Sequence, residues 1–435
     1  MIPAKRCYIL LALGGIGAAI LDLVSTRQVS LNFWRIYNFA LLVATVIDAS
    51  QVKNKAIALE RQEIPKLSVG RDNPIELKIT SGQAQAIARI KDAYPPEFTV
   101  NKNTLEVNLP AYSVSEQTYI IHPDRRGEYE WGNIQIRQLG KLGLAWRDWQ
   151  VSGRQKVQVY PDLMGLKELA VRLSIENSGA MRQARRMGSG TEFAELREYR
   201  TGEDIRLIDW KATARRDRPV VRVLEPEQEQ TVFILLDRGR LMTAKVGELK
   251  RFDHGLNATL SLAMAALSRG DKVGVAVFDR DITTWIPPER GNHHLSKIVE
   301  RLTPIQPVLL EPDYLGAVTK VITQQTRRAL VVLITDLVDV TASSELLSAM
   351  MRLSPRYLPF CVTLNDPLVE QIAHNHTDNT QDSYARAVAL DLLAQRQVAF
   401  AQLRQRGVLV LDAPCDRITG ELVDRYLQLK ARNLL

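Results

Sequence analysis

The chain has 435 residues, too many for one ordinary hydrophobic core and enough for two or three folded units. Its hydrophobic share of 46% and charged share of 24% are those of globular proteins, which excludes wholesale disorder and a coiled-coil rod. A formal charge of +8 suits nucleic acid, an anionic membrane face or an acidic protein partner, while three widely spaced cysteines, Cys7, Cys361 and Cys415, argue against a disulfide framework or zinc site and for small buried thiols.

Residues 7–24, CYILLALGGIGAAILDLV, are apolar apart from Asp22, and a second apolar stretch runs from Leu31 to Ile47 with Trp34 and Tyr37 where interfacial aromatics sit. Together they predict a transmembrane helical hairpin within residues 1–55. A cleaved signal peptide is the competing reading, but no clear small-x-small site separates the two stretches, and the second would still tether the chain. Lys5 and Arg6 precede the hairpin and Lys53, Lys55, Arg61 and Lys66 follow it, against Arg27 and Arg35 near the connection. The positive-inside rule therefore puts both ends, and the soluble mass, in the cytoplasm.

Over residues 60–165 the pattern changes to short alternating runs, IELKIT, TLEVNL, QTYIIH, GNIQIRQ and QKVQVY, separated by Asn-Pro, Pro-Pro and Gly-containing turns. Alternation with frequent turns predicts an antiparallel β-sandwich-like domain. No GxxxxGK[ST] or GxGxxG phosphate loop occurs, and His122 stands alone among strand residues.

From Thr231 to the end, strand-like and helical segments alternate: TVFILLD, a helix from Arg251, DKVGVAVFD, ITTWIP, helices near 292–302 and 313–325, RRALVVLITD, a helix to Leu353, RYLPFCVTL, a long helix over 384–406, GVLVLDA and a closing helix. This alternation predicts a doubly wound, mostly parallel α/β domain over 231–435. Two strands end in aspartates, Asp237 and Asp336, and ligands of such folds gather at the carboxyl ends of strands. The order of these aspartates resembles the von Willebrand A domain, whose metal-ion-dependent adhesion site starts from DxSxS, adds a Thr from a later loop and ends with an Asp after the fourth strand. That resemblance implies Mg²⁺ at Asp237 and Asp336. However, the first motif reads DRGRL, so Gly239 and Leu241 replace both serines and remove two hydroxyl ligands, and the later loop offers Glu311 or Asp313 instead of a Thr. The expectation is therefore no cofactor, with Asp237 and Asp336 as residual metal positions.

The segment 166–230 forms a junction and carries the block LREYRTGEDIRLIDWKATAR at 196–215. With RRGEY and VYPDL before it, the block resembles the bacterial family called domain of unknown function 58. Leu196, Tyr199, Ile205, Ile208 and Trp210 are expected to pack, Gly202 to turn, and Arg197, Glu198, Asp204, Arg206, Asp209, Lys211 and Arg215 to form ion pairs at a domain junction or partner-facing surface. Residues 172–222 hold 12 basic against 8 acidic residues, but the signs are interleaved and no nucleic-acid-binding motif appears, so no nucleic acid is expected. The resemblance implies a bacterial inner-membrane protein with protein partners, among them a MoxR-type AAA ATPase and other von Willebrand A proteins. No nucleophile and base appear together, so a non-catalytic interaction or scaffold component is expected. The alternatives are a divalent-ion-dependent adhesion-type protein and, from the carboxylates of Asp237, Asp336 and Glu311, a metal-dependent hydrolase; His293 and His294 show no ligand spacing.

Overall fold

The computed structural model describes residues 2–24, 27–52, 57–173, 192–200, 204–225, 230–337, 340–375 and 380–432. It divides after Tyr160 into two compact units, 1–160 and 161–435.

In the first unit, the helices Lys5–Val24 and Arg27–Gln51 are each long and apolar enough to cross a membrane. They pack antiparallel on small residues. Tyr37 closes over Gly14 and donates from its hydroxyl to the Leu10 carbonyl at 2.9 Å, and Ser30 Oγ donates to Ala18 O at 2.7 Å. Rather than standing apart from the β-rich region, the hairpin belongs to the same unit. The Ile2–Pro3 strand pairs antiparallel with Ala145–Trp146, at the edge of a five-stranded sheet.

That sheet and a four-stranded one face each other, with inward residues alternating along Asn73–Ser81 and Ile134–Leu139. Between them Asp92, from one sheet, accepts from the Tyr119 hydroxyl at 2.6 Å and from Arg61 Nε at 3.0 Å, both from the other. Burial and the Asp92 carboxylate hold the Tyr119 phenol well above its usual range.

The second unit is built on a six-stranded sheet: β1 Thr231–Asp237, β2 Lys272–Phe278, β3 Ile282–Glu289, β4 Leu330–Thr335, β5 Leu358–Asn365 and β6 Leu409–Pro414. The order is β3-β2-β1-β4-β5-β6, parallel except for the antiparallel edge strand β3. Every residue of β1 is buried, so its alternation serves two cores. Val232, Ile234 and Leu236 meet the helices Arg251–Ser268, Asn292–Leu302 and Ile418–Ala431, whereas Phe233 and Leu235 meet Tyr314–Gln324, Val340–Leu353 and Thr380–Gln405. The three-layer arrangement expected for 231–435 is present. Its unit begins earlier, because Leu166 and Leu173, in a helical stretch over 163–173, are buried in the first of these cores. A helix not read from the sequence, Pro367–His374, starts on the Asp366 side chain, which accepts from Leu368 N. Cys7, Cys361 and Cys415 are free and buried.

Candidate functional site

Strand order reverses between β1 and β4, and this is the switch point at which doubly wound sheets open a crevice beyond their carboxyl ends. Asp237 and Asp336 both stand at these carboxyl ends, and both are buried. Their partners are entirely internal. Asp237 Oδ1 accepts from Gly239 N at 2.6 Å, and Oδ2 accepts from Thr335 Oγ1 at 2.6 Å and from the Tyr314 hydroxyl at 3.3 Å. Burial pushes its pKa up from 3.8 to about 6, against these hydrogen bonds, which favour the charged form. Asp336 is clamped by two guanidinium groups: Arg396 Nη1 lies 2.7 Å from Oδ1 and Arg251 Nη1 2.8 Å from Oδ2. Arg396 continues to Asp412, whose Oδ1 accepts from its Nη2 at 2.7 Å and from Thr363 Oγ1 at 2.9 Å.

A hard divalent cation does not fit this donor set. It needs ionised oxygens with free lone pairs, but Asp237 already accepts from Gly239, Thr335 and Tyr314, and arginines occupy Asp336. The position of the first lost serine is closed as well. A side-chain carbon on Gly239 would sit 2.8 Å from Leu310 O, in a loop held by Arg240 N to Leu310 O at 2.8 Å and Val308 N to Arg238 O at 2.8 Å. Glu311 and Asp313 do not replace the missing Thr. Glu311 pairs with Arg240 in solvent at 2.6 Å, and Asp313 caps the next helix through Gly316 N at 2.7 Å. Among the described residues no group of three or more His, Cys, Asp or Glu side chains is arranged to hold a metal. His294 Nε2 lies 2.7 Å from Val273 O, a core contact.

The residues missed from sequence are Tyr314, Arg251, Arg396 and Asp412. Arg396 leaves one visible trace: it falls in register with Ala389, Ala399, Phe400 and Leu403, a buried stripe in which a charge requires a partner.

The signature folds as an antiparallel ribbon, Glu192–Glu198 with Val220–Glu225, linked through the single-turn helix Ile205–Leu207 and the short helix Trp210–Arg216. Asp204 starts the first by accepting from Arg206 N at 3.0 Å. Asp209 starts the second, accepting from Ala212 N at 3.0 Å and Lys211 N at 3.1 Å, and pairs with Arg222 at 2.6 Å. The Ala212 N–H, followed by Arg222, holds the Asp209 carboxyl below the usual range. Glu198 pairs with Arg218 at 2.6 Å. Leu196, Tyr199 and Ile208 are half-buried. Trp210 and Ile205 are not packed: they are 66% and 62% exposed, because the aspartate caps fix these short helices without using their apolar side chains. Arg206, Lys211 and Arg215 are exposed beside them, while Arg197 is half-buried and Gly202 lies outside the described residues.

The model of the family described as protein of unknown function DUF58 matches residues 195–391, from the ribbon through β1, β4 and β5 into the long helix. The matched segment carries the pattern of that family. Among similar proteins, an uncharacterized protein of Mycobacterium tuberculosis is 24% identical over 151 residues, 34% of this chain and 48% of the relative. YeaD of Bacillus subtilis, also uncharacterized, is 22% identical over 177 residues, 41% of this chain and 42% of the relative. The alignment thus spans about half the length of the curated relatives that the chain matches. Similar solved structures include BatB from Bacteroides thetaiotaomicron, at 12% identity and TM-score 0.33 over 47% of this chain and 99% of that one. The SpRpn10 VWA domain is similar at 10% identity and TM-score 0.30, over 45% and 95%.

Proposed function

We propose that this protein is a membrane-anchored, non-catalytic scaffold component of the DUF58 family that holds a protein partner on its signature ribbon. The anchor is the N-terminal hairpin in the bacterial inner membrane, with the soluble units in the cytoplasm. The observation that carries the reading is the exposure of Trp210 and Ile205 beside Arg206, Lys211 and Arg215, none of which has an ion-pair partner among the described residues. A rigidly capped tryptophan rimmed by cations is the kind of anchor that dominates protein interfaces, and it fits an acidic partner surface. The partner proposed is a MoxR-type AAA ATPase, in complex assembly or envelope maintenance.

The adhesion and hydrolase readings draw no support from the crevice, where both carboxylates are engaged internally. The test is a photo-crosslinking residue at position 210 in native membranes. A crosslink to an AAA ATPase, lost when Arg206, Lys211 and Arg215 are changed to glutamate, is expected. Absence of any such adduct, or one indifferent to the charge reversal, would sink the proposal.

A further inference from the structure

Both helices of the hairpin meet the β-rich domain at one end. The first follows the Ile2–Pro3 strand, which pairs with Ala145 and Trp146. The second is held by a clasp: Asp48, fully buried in its last turn, accepts three backbone N–H groups from one loop of the domain, Leu142 at 2.8 Å, Leu144 at 2.9 Å and Ala145 at 3.2 Å. Gly140 is required there, since a side-chain carbon would collide with the Asp48 carboxylate. Arg147 covers the helix end by donating to Val52 O at 2.7 Å.

The strand register gathers two more loops at this end. Gln138 pairs with Ala88 and Ala86 with Leu109, which brings the 82–85 turn and the 110–113 loop to the side of the clasp, where Tyr112 N donates to Gly82 O at 2.8 Å. The facing sheet reaches the same end, through Ile57 with Ser81 and Thr80 with Val114. Over residues 57–160 the exposed large apolar side chains are Ile87, Tyr112, Val114 and Leu142, and all four belong to this end. Tyr112 is 75% exposed and holds a left-handed backbone, φ 52°, which residues other than glycine rarely adopt. The three loops read SGQAQA, LPAYSV and LGKLGLA, with one charge, Lys141, and no acid. At the opposite end the loops AYPPEFTVNKNT and HPDRRG carry charges of both signs and expose no large apolar side chain.

The helices fix the level at which lipid begins. Their exposed apolar side chains extend to Tyr8 on the first helix and to Ile47 on the second. Ile47 adjoins Asp48, whose carboxylate holds the Leu142 N–H, so Leu142 stands within about one helical turn, about 5 Å, of that level.

We propose that the β-rich domain is seated in the membrane interface by this end, with the Tyr112 ring among the headgroups, Ile87, Val114 and Leu142 at the edge of the acyl chains and Lys141 toward the phosphates. The seating rests on the membrane anchoring proposed above. The partner is a lipid surface because the apolar end continues the lipid-facing surface of the two helices with no exposed acidic residue between, and its single charge is a cation. A domain so seated keeps one orientation to the bilayer instead of swinging on a tether.

The full chain is reconstituted in vesicles of phosphatidylglycerol and phosphatidylethanolamine that carry bromine either near the top or at the ends of the acyl chains. Bimane labels on Tyr112→Cys and Leu142→Cys report contact with lipid, Lys102→Cys reports the opposite end, and the unmodified chain, whose cysteines are buried, gives the background. The labels at 112 and 142 should be quenched, more by the upper bromines, as for side chains about 5–10 Å into the headgroup boundary. The label at 102 should not be, since the seven-residue strand Ala86–Asp92 keeps that end about 20 Å away. A label at 112 quenched no more than the one at 102 overturns the seating, whether it is open to aqueous iodide, as in a swinging domain, or shielded, as under a second copy of the chain. Leu13→Cys, exposed midway along the first helix, separates the two levels of argument. Quenching at 13 but not at 112 rejects only the seating, and no quenching at 13 rejects the spanning hairpin itself.

Discussion

Replacing Arg396 with methionine removes the guanidinium that joins β4 to β6 and keeps the aliphatic volume. The bonds lost are those to Asp336 Oδ1 at 2.7 Å, Leu337 O at 2.5 Å and Asp412 Oδ1 at 2.7 Å. Asp336 keeps Arg251 at 2.8 Å and Asp412 keeps Thr363 at 2.9 Å, so each buried carboxylate loses part of its compensation. Breaking a buried pair from one side costs about 3–5 kcal/mol, and the remaining partners place this case near about 3 kcal/mol. For a domain of this size that corresponds to a fall in Tm of about 6 °C. The assay is thermal unfolding of the full chain in detergent, followed by the near-ultraviolet signal of the α/β unit. The cost should come mainly from the stranded charges, so adding Asp336→Asn and Asp412→Asn to Arg396→Met should recover at least half of the loss. A single variant within about 0.5 kcal/mol of the parent, the range of ordinary surface changes, would refute the claim that the crevice is held by this network. A triple variant no better than the single would refute its electrostatic origin.

Asp237 makes a prediction about pH. Its folded pKa of about 6 lies above the ordinary 3.8, so the folded state binds the extra proton and stability should decline by about 3 kcal/mol as pH rises from about 4 to about 6. Asp237→Asn should flatten that limb in chemical denaturation curves and be no less stable than the parent at pH 8; a limb that persists would show that another group produces it. Gly239→Ser restores one hydroxyl of the DxSxS pattern but forces a contact with Leu310 O, so it should destabilise by about 1–3 kcal/mol and bind no Mg²⁺ by isothermal titration. A Mg²⁺-dependent rise in Tm would reverse that reading. Asp48→Ala removes the three N–H contacts of the clasp and should speed amide hydrogen exchange over residues 140–145 on the order of a hundredfold, about 3 kcal/mol of local stability; unchanged protection would mean the loop holds without the carboxylate. Trp210→Ala, at an exposed position, should leave Tm within about 1 °C while abolishing partner capture from membranes, and a large fall in Tm would show that the indole packs after all.

The α/β fold was legible because burial on both faces writes β1 as an unbroken apolar run, TVFILLD, and the helices around it as periodic ones. Asp237 and Asp336 were legible as strand-end residues for the same reason. Their chemistry was not, because it depends on Arg396, 60 residues from Asp336 along the chain, and on Tyr314, 77 residues from Asp237. Pattern reading finds the helix that carries an arginine, whereas only the fold brings its guanidinium to a carboxylate. Gly239 was visible as a missing ligand, but the Leu310 carbonyl that forbids its return was not. Residue type alone puts Trp210 among packing side chains; the caps at Asp204 and Asp209 free it from that role, and capping strength does not reveal which way a neighbouring indole points.

The clasp on Asp48 also orders the birth of the protein. Its partner Leu142 lies 94 residues downstream, which at about 5–20 residues per second separates their synthesis by roughly 5–20 s. The Ile2–Pro3 strand waits longer still, for Ala145 and Trp146. Synthesis of the hairpin therefore precedes the existence of the loop and strand that fix it. A nascent chain arrested before residue 142 would hold both helices of the hairpin with Asp48 lacking the N–H groups that meet it in the finished molecule.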